Sequence, residues 1–255
     1  MQQPSLHTAD PRHNQLLAAL PAAEWDRWQR ELEPVTLLPG QVLCESGQVP
    51  AYVVFPTTAI VSLLYMTQDG GTTEIAVVGN DGAVGISLFM GDGTTTYQAV
   101  VQSAGNGFRL RAQTVKNEVN RAGPLLNIVL RYTQAVIAQV AQSAVCNRYH
   151  SIDQQLCRRL LLGLDRLQSR EMMITQELLA NLLGVRRESV TAAALKLQHA
   201  GVIRYSRGHI AVLDRMRLEQ RTCECYSVAK REYNRLLPMP VPMPVPMPAP
   251  MPLAA

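Results

Sequence analysis

The sequence predicts an α+β protein with an N-terminal antiparallel β-roll, a long dimerisation helix and a C-terminal winged helix-turn-helix. Three observations lead to this fold class. Short β-prone runs alternate with turn residues over 35–111, a helical stretch without internal Gly or Pro follows Pro124, and two short helical patterns precede a hairpin pattern within 174–213. The predicted divisions are a helical entry (1–34), the roll (35–123), the long helix (124–150), the winged-helix domain (151–236) and a disordered proline-rich tail (237–255).

The first two divisions follow from hydrophobic periodicity. Residues 14–33 predict an amphipathic entry helix, because apolar side chains recur at helical spacing. These side chains are Leu16, Leu17, Leu20, Trp25, Trp28 and Leu32. Six or more short strands follow, separated by turn signals such as Pro39-Gly40, Gly79–Gly82 and Gly105–Gly107. Strands at this spacing are typical of an antiparallel roll or barrel.

The predicted long helix carries apolar and small side chains at alternating spacings of three and four. These positions, taken as a coiled-coil seam, are Leu126, Val129, Thr133, Val136, Val140 and Ser143. Such a seam predicts that two copies of the chain pair along this helix. The alternative is that the same face packs on the helix's own domain.

The charge of the chain is divided unevenly. Residues 1–108 contain 3 Lys or Arg against 10 Asp or Glu, whereas residues 109–255 contain 21 against 10. A basic surface attracts the phosphates of a nucleic acid, and an acidic surface repels them. We therefore expect any nucleic-acid partner to bind the C-terminal part.

Composition also bears on compartment and on metal binding. No apolar run approaches the roughly 18 residues of a membrane-spanning helix, and the first residues lack the layout of a secretory signal, so we expect a cytoplasmic protein without a membrane partner. Five cysteines without a CxxC pair predict neither a disulfide framework nor a structural zinc site. For Cys223-Glu-Cys225 two interpretations stay open: free thiols, which we favour, and a metal-binding or oxidant-sensing pair.

Residues 174–213 carry the pattern of a winged helix-turn-helix. Thr175 is a suitable N-cap for a first helix with a leucine face, and Gly184 is suited to end that helix in a left-handed conformation. A second helix starts near Arg186. Its expected buried face consists of Val190, Ala193, Ala194 and Leu197. Two short strands around Ser206–Gly208 then predict a hairpin wing.

The leading turn of the second helix is where this fold meets DNA bases. Arg187 has the forked side chain that binds guanine O6 and N7, and Glu188 is able to accept from cytosine N4. The candidates for phosphate or wing contacts are Thr175, Arg186, Ser189, Thr191, Arg204, Arg207 and His209. Any one of these alone is better explained as a solvated surface residue. Their joint placement in the basic half predicts DNA binding.

The segment ITQELLANLLG, followed by RRESV and then KL, resembles the helix-turn-helix of the Crp/Fnr regulators, and the order of roll, long helix and winged helix-turn-helix is similar as well. The resemblance covers about residues 35–236. It implies a sequence-specific transcription regulator that binds a palindromic double-stranded DNA site as a homodimer. RNA polymerase is a further candidate partner.

The resemblance also assigns roles to individual residues. It implies that Arg187 and Glu188 read bases, and that phosphates are contacted by Thr175, Arg186 and Ser189. Ala192 stands where the family has a second base-reading arginine. A half-site different from that of the cyclic-AMP regulator is therefore expected.

Some members of the family bind a cyclic nucleotide in the roll, through a glycine–glutamate pair for the ribose and an arginine for the phosphate. Here Gly85 is followed by Ile86, residues 79–108 contain no Lys or Arg, and Thr94–Thr96 offer only hydroxyls. A buried phosphate without a cation is strongly unfavourable. We therefore predict a cyclic-nucleotide-binding-like domain that does not bind cyclic AMP in the usual way.

No cofactor is predicted, and the effector stays open. The family's iron–sulfur members carry an N-terminal cysteine cluster, whereas the first cysteine here is Cys44. His7, His13 and His150 lie outside the roll and are poor candidates for a haem ligand. The alternatives are an apolar or neutral ligand, a protein partner and constitutive DNA binding.

Two other classes of function compete with DNA binding. Enzyme activity is not expected, because the five histidines are dispersed and no glycine-rich phosphate loop precedes a helix. The other alternative is a ligand- or protein-binding module whose winged helix is a protein contact surface. In such a module the leading turn around Arg187 would be buried against another subunit.

Overall fold

The computed structural model describes residues 10–167 and 169–237. The strands are β1 (Glu33–Leu37), β2 (Val42–Cys44), β3 (Tyr52–Pro56), β4 (Ile60–Met66), β5 (Thr72–Val78), β6 (Gln98–Ser103), β7 (Gly105–Arg111), β8 (Glu171–Met173), β9 (Ile203–Ser206) and β10 (His209–Val212). The α-helices are α1 (Gln15–Ala18), α2 (Ala22–Trp28), α3 (Ala112–Asn120), α4 (Pro124–Tyr149), α5 (Ile152–Leu167), α6 (Gln176–Leu183), α7 (Arg187–His199), α8 (Arg215–Arg221) and α9 (Glu224–Leu236).

Strands β1–β7 form the predicted antiparallel roll from two sheets. One sheet has the order β1-β7-β3 and the other the order β2-β6-β4-β5. The inward side chains of both sheets are buried together, among them Leu37, Val61 and Leu63. The α+β fold class with a roll, a long helix and a helix-turn-helix is confirmed.

One predicted turn in the roll is a strand. Gly105–Gly107 begins β7, because the backbone of a neighbouring segment passes too close for any side chain. A Cβ added to Gly105 would lie 2.5 Å from the Ala59 nitrogen, and one on Gly107 would lie 2.7 Å from the Phe55 oxygen. Glycine at these two positions therefore allows the neighbouring backbone to pass close to β7.

The entry segment is also shorter and more broken than the single helix predicted over 14–33. Pro21 separates α1 from α2, and its fixed φ of −60° suits the N-cap of α2. Strand β1 then begins at Glu33, two residues before the predicted boundary of the roll. Leu17 and Trp28 are nevertheless buried, as their periodicity indicates.

The predicted long helix is present as α4, which has 26 residues, but the predicted seam faces the helix's own domain. Val129 and Val136 pack with Trp28 and Phe55 in one core cluster. Thr133 and Ser143 are likewise buried within the chain, and Leu126 and Val140 are half-buried. Because this face is already covered, its assignment as the dimer seam is wrong.

A different face of α4 carries exposed apolar side chains. Leu130 is 51% exposed and Ile137 is 62% exposed, and Ala144 continues the same seven-residue spacing. Ala141 and Val145 are exposed beside them. We call Leu130, Ile137, Ala141, Ala144 and Val145 the α4 stripe. Its spacing is that of a coiled-coil contact.

Helices α5–α8 and strands β8–β10 form the winged-helix domain, with a core of leucines and β-branched side chains. Helix α5 also packs on the roll of the same chain, where two ion pairs cross the contact. Arg159 pairs with Glu74 and both side chains are almost fully buried, and Arg166 Nη2 lies 2.8 Å from Asp81 Oδ2. The contact between the two domains is therefore charged.

Within the described ranges, no helix combines the length and apolarity that a membrane crossing requires. The tail predicted over 237–255 lies outside the described residues except for Leu237.

Candidate nucleic-acid interface

Helix α6 begins and ends as its sequence predicts. The Thr175 hydroxyl accepts a hydrogen bond from the Leu178 backbone N–H at 3.1 Å, which satisfies one of the free donors at the helix start. Gly184 ends the helix with a φ of 66°. The turn to α7 contains only Gly184, Val185 and Arg186, so the two helices are held close together.

Helix α7 presents a short charged turn to solvent. Its buried residues are Val190, Ala193, Ala194 and Leu197, the face that the sequence predicts. Arg186, Arg187 and Glu188 at its start are exposed, and Ser189 is half-buried. We call Arg186, Arg187 and Glu188 the leading turn. The exposed backbone N–H groups of a helix start, beside two arginines, favour a negatively charged partner.

The wing is a tight hairpin between β9 and β10. Its central residues, Arg207 and Gly208, have φ values of 49° and 78°, as the hairpin turns that match strand twist require. The Ile174 N–H donates to the Gly208 carbonyl at 2.7 Å, and a Cβ added to Gly208 would lie 3.3 Å from the Thr175 methyl carbon. The wing tip therefore lies against the start of α6.

The first turn of α6 also contacts α7. Glu177 Oε2 lies 3.9 Å from Arg187 Nε, and the Gln176 amide oxygen accepts from the Thr191 hydroxyl at 2.8 Å. The wing tip, the start of α6 and the start of α7 thus form one continuous surface. It brings together Thr175, Arg187 and Arg207, which are separate in sequence.

Residues 154–221 match the family model of the Crp-like helix-turn-helix domain. The chain carries a Crp-like helix-turn-helix domain. A search of curated proteins found no match to the sequence.

Solved structures share the fold of the chain well beyond the Crp-like domain. A transcriptional regulator of the Crp/Fnr family from Eubacterium rectale has a TM-score of 0.64 and 19% identity, covering 82% of this chain and 98% of its own. FixK2 from Bradyrhizobium japonicum has a TM-score of 0.63 and 14% identity, and the match covers 75% of this chain and 98% of FixK2. A CRP family regulator from Thermus thermophilus has a TM-score of 0.58 and 17% identity, and the match covers 73% of this chain and 95% of the regulator. The resemblance to the Crp/Fnr regulators is confirmed for the fold, and residues 154–221 carry the Crp-like helix-turn-helix.

Arg187 of the Crp-like domain is loosely held. Its pair with Glu177 has a long separation of 3.9 Å, and the two side chains are 64% and 65% exposed. Exposed pairs of this kind contribute about 0–1 kcal/mol. The guanidinium is therefore free to exchange Glu177 for another acceptor at little cost.

Two other predicted contact residues have protein partners. The Thr191 hydroxyl lies 3.0 Å from the Arg187 carbonyl and within hydrogen-bond distance of Gln176. His209 Nε2 lies 3.1 Å from Glu171 Oε2. These contacts give both side chains a role in joining elements of the Crp-like domain. Arg204 is exposed on β9.

Tyr205 is a residue that the sequence reasoning missed. Its hydroxyl donates to the Ile174 carbonyl at 3.1 Å, and its backbone N–H donates to the Gln198 side chain at 3.1 Å. Burial raises the pKa of the Tyr205 hydroxyl. Tyr205 therefore joins β9 to the segment before α6 through its hydroxyl and to α7 through its backbone N–H. Its place opposite Ile210 across the hairpin is a signal that only the strand register provides.

Ile86 is the residue that the sequence resemblance predicts at the position of the family's ribose-binding glutamate. Gly85 has a φ of 99°, and the next residue, Ile86, packs its side chain into the apolar core. The sequence reasoning found no cation within 79–108. The structure brings one from outside, because Lys116 Nζ on α3 would lie 3.7 Å from a Cβ added to Gly93.

Proposed function

We propose that the protein is a homodimer that binds a palindromic DNA site through the leading turn of α7 and is not controlled by cyclic AMP in the usual way. The observation that carries this proposal is the continuous surface of the leading turn, the start of α6 and the wing tip, with Arg187 and Arg207 exposed on it. A DNA duplex needs such a projecting, positively charged surface for its major groove and the flanking phosphates.

The proposed contacts divide into base reading and positioning. Arg187 binds guanine O6 and N7, and Glu188 accepts from cytosine N4. Phosphates are contacted by Thr175, Arg186, Ser189, Arg204 and Arg207. Thr191 and His209 remain candidates for phosphate contacts, which they would make beside their partners Gln176 and Glu171. The exposed methyl of Ala192 leaves room for a base contact different from the family's second arginine.

The α4 stripe supports the dimer. Its exposed apolar side chains recur every seven residues, so pairing two copies of α4 would remove Leu130 and Ile137 from water. A two-fold axis along α4 would also separate the two copies of α7. Half-sites bound by helix-turn-helix dimers lie about 34 Å apart, which is one turn of DNA. The palindromic site follows from this symmetry.

The roll supports independence from cyclic AMP. Ile86 offers no carboxylate to a ribose, and the neighbouring Thr94 and Thr96 are neutral. Lys116 is a cation near Gly93. Binding of a charged phosphate here would leave it poorly compensated.

The alternative function is a protein-contact module. It requires a partner whose surface covers the leading turn in place of DNA. The exposed leading turn beside the wing is open to either a protein partner or DNA. The two arginines and the basic C-terminal half favour DNA, because it is a polyanion.

Replacing Arg187 with alanine tests the base-reading assignment. On a duplex that the parent protein selects from a random library, we expect affinity to fall by about 1–3 kcal/mol, or about 5- to 150-fold, and base preference to relax at one position of each half-site. Fluorescence anisotropy and a panel of single-base variants measure both effects. Folding is expected to be unchanged because Arg187 is 64% exposed.

Arg121→Ala is the matched control, since Arg121 is 60% exposed and pairs with Glu118 far from the Crp-like domain. Its DNA affinity is expected to equal that of the parent. Equal affinity and unchanged base preference in Arg187→Ala would overturn the assignment.

A further inference from the structure

A cluster of metal-ligating side chains lies where α4 meets α9. Cys146, His150, Cys223 and Cys225 place their ligand atoms within 4.8 Å of one another. The sulfur atoms of Cys146 and Cys223 are 3.5 Å apart, and the sulfur of Cys225 is 3.4 Å from His150 Nδ1. Three of the five cysteines, which look scattered in the sequence, are therefore brought together by the fold.

Both helices supply two of the four groups. Cys146 lies in the last turn of α4, and His150 is the C-cap residue, whose backbone N–H donates to the Cys146 carbonyl. Cys223 is the N-cap of α9 and Cys225 lies in its first turn. The start of a helix favours the negative charge of a thiolate, which is the form that binds metals.

We propose that Cys146, His150, Cys223 and Cys225 bind one divalent cation of the zinc class in a closed tetrahedral site. Tetrahedral zinc has Zn–S distances of about 2.3 Å and Zn–N distances of about 2.0–2.1 Å, which place neighbouring ligand atoms about 3.5–3.8 Å apart. The two contacts of 3.5 and 3.4 Å are close to this spacing. Three thiolates and one imidazole form a ligand set that zinc takes in structural sites.

The surroundings of the cluster fit the proposal. Glu224 Oε1 lies 3.2 Å from His150 Nε2, so this carboxylate can hold the imidazole with Nδ1 directed at the metal. The Gln142 amide donates to the Cys225 sulfur at 3.0 Å. Metal-ligating histidines commonly have such a carboxylate partner, whereas packing of thiols alone does not require one.

Cys157 shows what a cysteine without this role looks like in the same protein. It is buried within the apolar core of the winged-helix domain, among leucines. The cluster cysteines are equally buried, with exposures of 0%, 4% and 0% for Cys146, Cys223 and Cys225, but they face an imidazole and one another. Burial therefore does not account for the convergence of the four groups.

The bound ion would fasten α9 to the end of α4, next to the connection from α4 to α5. All four ligands lie outside residues 154–221, the part that matches the Crp-like domain. The proposed site is thus a feature of the segments that flank that domain, and it does not rest on DNA binding. All four coordination positions are filled by side chains, which is typical of a structural site.

Metal content of the full-length protein, purified under reducing conditions and dialysed, tests the site. We expect one zinc per chain by mass spectrometry of the elements, and loss of that zinc in Cys223→Ala. Cys44→Ala is the control, because Cys44 is buried in the roll away from the cluster; it should retain the metal. Zinc absent from the parent, or retained equally by Cys223→Ala, would overturn the proposal.

A second variant avoids the risk that loss of a ligand unfolds the protein. Glu224 is 67% exposed, so Glu224→Gln should fold normally and weaken zinc binding about 10- to 100-fold in a chelator competition. Glu232→Gln, on the same helix and paired with Arg235, is the control and should bind zinc as the parent does. Equal affinity in all three proteins would contradict the role of Glu224.

Cobalt distinguishes metal binding from thiol oxidation. The parent protein, stripped with a chelator and titrated with Co²⁺, should develop the visible absorption of tetrahedral cobalt thiolate at one equivalent, and hydrogen exchange of α9 should slow. A chain that takes up no cobalt, with its cysteine thiols titrating as a Cys146–Cys223 disulfide, would replace the metal site with an oxidation-sensitive pair.

Discussion

Glutamate at both Leu130 and Ile137 is expected to leave the chain folded and to convert the proposed dimer to a monomer. Both side chains are more than half exposed within one chain, so the substitution removes no internal packing. In a dimer the four new carboxylates would face one another along α4. Binding of two linked half-sites exceeds binding of one by about 10²–10⁴-fold, and we expect DNA affinity to fall by that factor. Light scattering gives the mass, and anisotropy gives the affinity.

Gln113→Glu is the control for added charge on an exposed helical surface. Gln113 lies on α3, outside the α4 stripe, and this variant should keep the mass and DNA affinity of the parent. A dimer that persists with both glutamates in place would show that α4 pairs through another face or that the dimer forms elsewhere.

Glu74→Gln is expected to lower the free energy of unfolding by about 3–5 kcal/mol, because it leaves the buried Arg159 charge without its partner. Arg159 Nη2 donates to Glu74 Oε2 at 3.0 Å, and the two side chains are 4% and 6% exposed. Burial lowers the pKa of the Arg159 guanidinium, and the nearby carboxylate opposes that shift. Denaturant unfolding followed by circular dichroism measures the loss.

Glu33→Gln is the matched control, since the Glu33–Arg109 pair is 37% and 39% exposed. Its removal should cost about 0–1 kcal/mol. Replacing both partners, as Glu74→Gln with Arg159→Met, should restore much of the stability because no buried charge remains. Equal losses in Glu74→Gln and Glu33→Gln would contradict the burial argument.

The local signals of the helix-turn-helix could be predicted from sequence with little error. Thr175 and Gly184 act through hydrogen bonds and backbone angles within a few residues, so their roles do not depend on distant packing. The buried face of α7 follows from the helical period for the same reason. The hairpin wing could be predicted because its turn has two residues, Arg207 and Gly208, between two short strands.

The faces of α4 could not be assigned in the same way. Leu126–Ser143 alternates spacings of three and four, and Leu130, Ile137 and Ala144 recur every seven residues, because a helix of alanine, valine and leucine has more than one apolar stripe. The roll and the entry helices decide which stripe is covered, as Trp28 and Phe55 do for Val129. That information lies in tertiary contacts, which periodicity does not contain.

The proposed metal cluster could be predicted only in part, since metal binding by Cys223 and Cys225 stayed open in the sequence but Cys146 and His150 had no visible link to them. Cys146 and Cys223 are 77 positions apart, and the spacing Cys-x-Cys at 223–225 is not one of the common zinc patterns. The cluster depends on α9 returning to pack on the end of α4. The buried Arg159–Glu74 pair between domains was likewise invisible, because neither residue has a local partner.

We propose that the leading turn of α7 reads a palindromic site in a dimer that does not need cyclic AMP. Selection of bound duplexes from a random double-stranded library, with and without cyclic AMP, tests it most directly. We expect the same palindrome in both selections, with half-sites about one helical turn apart. Enrichment only with cyclic AMP would contradict the interpretation of Ile86, and no enrichment in either selection would contradict DNA reading by Arg187 and Glu188.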